Sequence, residues 1–111
     1  MTRCVAGKRY EEDGSLSLYL TAFGHANYGE RGKDIVCAAV SALCTSLANT
    51  LLGYGVPEAA FRMREGNFFV SARMEENQQK CEGAFDMAVV GLESLAEQYP
   101  DNVFIASGWL H

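Results

Sequence analysis

Between residues 15 and 22 the chain alternates without a break. Leu16, Leu18, Leu20 and Ala22 fall on one side, and Ser15, Ser17, Tyr19 and Thr21 on the other. Successive side chains of a β-strand point to opposite faces, so this period of two commits the segment to a sheet with one buried face. Residues 2–8 alternate more weakly. They are joined to 15–22 by the acidic stretch Glu11-Glu12-Asp13-Gly14, whose Asp-Gly pair is a hairpin signal.

After residue 34 the period changes. Val36, Val40, Leu43, Leu47 and Leu51 recur at spacings of four and three, which predicts a helix over about 35–52 with an apolar stripe against the sheet. Gly53 and Gly55 end it. Phe61 and Met63 then alternate with Arg62 and Arg64, and Glu65-Gly66-Asn67 leads into 68–74, a second hairpin. The two arginines read as the solvated face of that strand. A second helix is expected over about 79–98, with Phe85, Ala88, Val89, Leu92, Leu95 and Ala96 as its stripe, stopped at Tyr99-Pro100-Asp101. Residues 102–107 read as a last strand and 108–111 as a tail, in which His111 is assigned no role. The order β-β-α-β-β-α-β predicts an α+β fold, a two-layer domain with a mostly antiparallel sheet and two helices on one face. Residues 1–111 are read as one domain, since 111 residues support one core and not two.

Fourteen acidic against nine basic residues give a net charge of −5. That balance argues against direct nucleic-acid binding, which draws its affinity from a basic surface. No long apolar segment opens the chain as a signal peptide would, and no apolar run is read as reaching membrane-spanning length. No membrane partner is therefore expected, and the cytoplasm is the expected location. Cys4, Cys37, Cys44 and Cys81 form no C-x-x-C pair and are expected to be reduced thiols. A metal held by His25, Cys37 and Cys44 is conceivable, but structural zinc sites show closer ligand pairs, so neither metal nor cofactor is expected.

The chemistry-bearing stretch is 23–41. His25 follows the alternating strand, flanked by Gly24 and Ala26. A polar segment with Gly29 and Gly32 leads to Asp34, an N-cap candidate. Cys37 then falls at the third helical position, where the helix dipole favours a thiolate. A histidine and a helix-start cysteine joined by a glycine-containing loop are the parts of a nucleophilic pair. The same cysteine, in Ile-Val-Cys-Ala-Ala-Val, equally fits a small core residue. The loop over 27–33 is expected to be mobile, as a gate over the site or an ordinary connection. Asp34 has two possible roles, cap or orienting group for His25, and its charge near Cys37 opposes the thiolate. Ser41, one turn beyond Cys37, reads as packing or as a supporting hydrogen-bonding group.

Gly24-His25-Ala26 followed by Gly32, Asp34-Ile35-Val36-Cys37-Ala38-Ala39 and Ser41 resembles the signature of the bacterial ribosomal-processing cysteine protease family, Prp. The resemblance extends over nearly the whole chain in length and element order. It implies a catalytic dyad of His25 and Cys37, with Gly24, Ala26, Gly32, Asp34 and Ser41 in support. It implies as substrate a large-subunit ribosomal protein, number twenty-seven, whose N-terminal extension is cut after an aromatic residue, and a homodimeric enzyme. In that mechanism the oxyanion is expected to sit on backbone N–H groups at the helix start. The alternative is a non-catalytic peptide-binding module in which Cys37 is core.

Overall fold

The computed structural model describes residues 1–108; the expected tail with His111 lies outside them but for Gly108. The chain runs β1 (Thr2–Tyr10), β2 (Leu16–Phe23), α1 (Ile35–Gly53), a 3-10 turn (Glu58–Ala60), β3 (Phe61–Arg64), β4 (Asn67–Met74), α2 (Gln78–Gln98) and β5 (Val103–Gly108). The five strands form one sheet in the order β3-β4-β2-β1-β5. Every neighbouring pair is antiparallel except β1 with β5. The α+β, two-layer reading with element order β-β-α-β-β-α-β therefore holds.

The alternating segment does what its pattern requires. Leu16, Leu18, Leu20 and Ala22 are buried, and they meet Cys4 and Ala6 of β1, Phe68, Val70 and Met74 of β4 and Val103 of β5 in one core. Both helices cover this face. From α1 come Val36, Val40, Cys44, Leu47, Ala48 and Leu51, and from α2 Cys81, Phe85, Ala88, Val89 and Leu92. One member of the expected α1 stripe differs: Leu43 is only half-buried and Cys44 takes the inward place. Leu43 packs against the second helix at the rim of the core. A methyl group on Gly91 of α2 would come within 2.8 Å of Leu43, so the two helices meet where a glycine faces a leucine.

A second correction concerns length. α1 is 19 residues without a charge, mean hydropathy 1.9 in its most apolar window, and by length and composition alone could cross a membrane. Its inward stripe is instead spent on the sheet.

Candidate active site

β2 delivers His25 to the site. The strand ends at Phe23, and Gly24 turns the chain with φ +91, a conformation side chains rarely adopt. A methyl group there would also lie 2.6 Å from the Met1 carbonyl oxygen. The Gly24 N–H donates to Gly66 O (2.8 Å), which ties the end of β2 to the β3–β4 turn.

α1 delivers Cys37. Asp34 is its N-cap: Oδ1 accepts from the N–H groups of Val36 and Cys37, both at 2.9 Å. The other oxygen, Oδ2, accepts from Tyr28 N–H (2.9 Å) and Gly29 N–H (3.1 Å). Of the two roles open to Asp34, capping is the one made, since both carboxylate oxygens are given to backbone donors. The loop expected to be mobile is thus anchored over its first half. The four backbone donors, that of Cys37 first, hold the Asp34 carboxyl down to about 2.

The unfolded carboxyl titrates near its ordinary value of about 3.9. Asp34 therefore contributes stability that is complete above that value and is lost as pH falls toward about 2. Asp34→Asn is expected to be less stable than wild type by a margin that is constant at neutral pH. The margin should shrink between about pH 4 and pH 2, as denaturant titrations at a series of pH values will show. A constant margin throughout would contradict this role.

The two elements meet at the sulfur. Cys37 Sγ accepts the Ala26 N–H at 3.2 Å, so the residue next to His25 is bonded to the thiol itself. Both His25 and Cys37 line a cleft of about 590 Å³, together with Gly24, Gly32, Ser41 and, from the β3–β4 hairpin, Met63, Arg64 and Gly66. His25 is exposed and its ring rests on the hairpin turn: a methyl group on Gly66 would sit 3.1 Å from Nε2. Among the described residues no hydrogen bond joins the ring to Cys37. Ser41 likewise lines the cleft without a hydrogen bond to its hydroxyl among the described residues. The Arg31–Glu65 ion pair joins the glycine loop to the hairpin turn, both residues lining the cleft. Arg64, read from sequence as merely solvated, also faces it.

The four cysteines divide sharply. Cys37 is half-buried at the cleft, whereas Cys4, Cys44 and Cys81 are buried. Burial pushes Cys4 up to about 11 and Cys44 up to about 12, and raises Cys81 as well. At pH 8 the thiols of Cys4 and Cys44 are therefore almost wholly protonated. Iodoacetamide at that pH is expected to label Cys37 more than about tenfold faster than the other three, read by peptide mapping. Equal labelling of Cys44 or Cys81 would return Cys37 to the core. No three-ligand metal group gathers His25, Cys37 and Cys44 among the described residues.

The sequence does not place two residues at the site. Asn102, at the foot of β5, donates its side-chain amide to Ala26 O at 2.9 Å across 76 residues. Gly66 was legible as a turn residue but not as the seat of His25.

A family model described as cysteine protease Prp matches residues 7–104. The ribosomal processing cysteine protease Prp of Bacillus subtilis is 30% identical over 105 residues, covering 90% of this chain and 92% of that protein. The Prp of Staphylococcus aureus is 29% identical over 82 residues, covering 72% of this chain and 76% of that one. Among solved structures, the essential ribosomal processing protease Prp of S. aureus with a covalently linked product peptide superposes with TM-score 0.77 at 22% identity. The match covers 96% of this chain and 99% of that one. A Streptococcus mutans protein superposes with TM-score 0.68 at 30% identity, covering 96% of this chain and 91% of its own.

Proposed function

The chain belongs to the cysteine protease Prp family, and from that premise we propose that it removes the N-terminal extension of large-subunit ribosomal protein twenty-seven, with Cys37 as nucleophile and His25 as its base. The hydrogen bond from Ala26 N–H to Cys37 Sγ carries this reading, because it seats the histidine-bearing turn on the helix-start cysteine inside an open cleft. His25 leaves Gly66 by a side-chain rotation, a fast motion for an exposed residue, and takes the thiol proton. The thiolate attacks the scissile carbonyl, the imidazolium protonates the leaving amine, and water then releases the acyl group. Catalytic hydrogen bonds are commonly long or unmade before substrate binds, so the parked ring is compatible with this role.

The substrate side is supported by charge. A net charge of −5 favours encounter with a basic ribosomal protein over RNA. The proposed place of action is the cytoplasm. The proposal includes a homodimer: Val5, Tyr19, Phe23, Phe69 and Phe104 are exposed on the sheet face opposite the helices, an apolar patch that a second copy would cover.

The test is incubation with ribosomal protein twenty-seven of the same organism, followed by intact-mass measurement. Loss of an N-terminal segment with wild type, and not with Cys37→Ala, supports the reading. An extended substrate left intact, with Cys37 also inert to alkylation, leaves the non-catalytic peptide-binding module.

A further inference from the structure

The helix-start N–H groups nearest the sulfur are already engaged. The N–H groups of Val36 and Cys37 are bonded to Asp34 Oδ1, and that of Ala38 to the Asp34 carbonyl at 3.0 Å. These three donors around the nucleophile are therefore taken up by Asp34. The donor aimed at the sulfur comes from elsewhere: Ala26 N–H, 3.2 Å from Cys37 Sγ.

Ala26 is held on its other side too. It is only 1% exposed, and its carbonyl accepts the Asn102 side-chain amide at 2.9 Å. Asn102 is itself fixed through its backbone, donating to Tyr99 O at the end of α2 and accepting from Thr2 N–H of β1, both at 2.9 Å. The amide thus stands on the junction of two strands and a helix, and it sets the direction of the residue that points at the sulfur.

We propose that the Ala26 N–H is an oxyanion donor of the hydrolytic reaction and that Asn102 is its positioning residue. This rests on the protease reading above. As the thiolate attacks, the S–C bond forms and the carbonyl π pair moves onto oxygen. The negative charge passes from the sulfur to an oxygen one bond beyond the carbon now attached to it. A donor already directed at the sulfur follows that charge with a small displacement, which is the preorganisation that makes such groups effective. When the adduct collapses, the C–N bond breaks and the imidazolium of His25 supplies the proton to the amine. The same clamp fixes the backbone from which His25 swings.

The test uses Asn102→Ala and the isosteric Asn102→Asp, which keeps the shape and loses the donor, with Asn102→Gln as a variant that keeps an amide. Two quantities are measured: kcat and KM on the peptide that wild type cleaves, and the iodoacetamide rate at Cys37 resolved by peptide mapping. The first two variants are expected to lose about 10²-fold in kcat with KM within about threefold, since misplacing a reacting group by a fraction of its contact distance has that order of effect. Cys37 labelling should slow about tenfold as the sulfur loses a directed donor, and Asn102→Gln should recover part of both losses. Asn102→Asp with wild-type kcat and wild-type labelling would overturn the proposal, as would losses in all three variants that track only their melting temperatures. If wild type cleaves no peptide, the protease reading has failed, and unchanged Cys37 labelling in the variants would separately remove Asn102 from any role at the thiol.

Discussion

Cys37→Ala is expected to lower peptide cleavage by about 10⁴-fold or more while leaving the fold in place. The chemical reason is that no second nucleophile stands ready. Ser41 lies one turn on along α1, without a hydrogen-bonded base among the described residues, and Cys44 is buried with its thiol pushed up to about 12. The structural reason is that Cys37 is half-buried at the edge of the core, so removing its sulfur costs about 1–3 kcal/mol, mostly from the buried Ala26 N–H that loses its acceptor. Kinetics and thermal melting on the same preparation check both halves. A variant that melts normally and still cleaves would place the nucleophile elsewhere.

His25→Ala is expected to lose about 10² to 10⁴ in kcat, the range supplied by a positioned general acid–base. Its stability should be unchanged, because the exposed ring rests on Gly66 without a hydrogen bond among the described residues. The pair of substitutions is expected to be non-additive: in Cys37→Ala the base has no proton to take, so His25→Ala should add little to it. Steady-state rates of the single and double variants measure this directly. A further loss in the double variant, as large as that of His25→Ala alone, would mean the two residues do not act as a unit.

The parts of this structure that were legible in the sequence are those governed by neighbours along the chain. The alternation at 15–22 gave β2 its buried face because a strand's periodicity is local. Asp34 was readable as a cap for the same reason: its partners, Val36 and Cys37, lie two and three residues away. The glycine at 66 marked a hairpin, and the hairpin is there. What escaped depended on residues far apart in sequence. The spacing of Leu43 places it in the stripe, yet in the fold it lies against Gly91 of the other helix and is only half-buried. The loop over 27–33 looked free from its glycines and polarity, and only the second oxygen of Asp34 ties its first half down. The dipole argument for a helix-start oxyanion site says nothing of how far the Asp34 cap engages the N–H groups of Val36 and Cys37. Asn102 had no signal, because its contact with Ala26 spans 76 residues and follows no spacing rule.

The central claim is covalent catalysis by Cys37 with a peptide substrate, and acid-quenched intact-mass measurement during turnover tests it most directly. The expected result is a transient species heavier than the enzyme by the N-terminal fragment less one water, mapping to Cys37 and absent from Cys37→Ala. Turnover of the substrate by wild type and Cys37→Ala alike, with no such adduct, would contradict it.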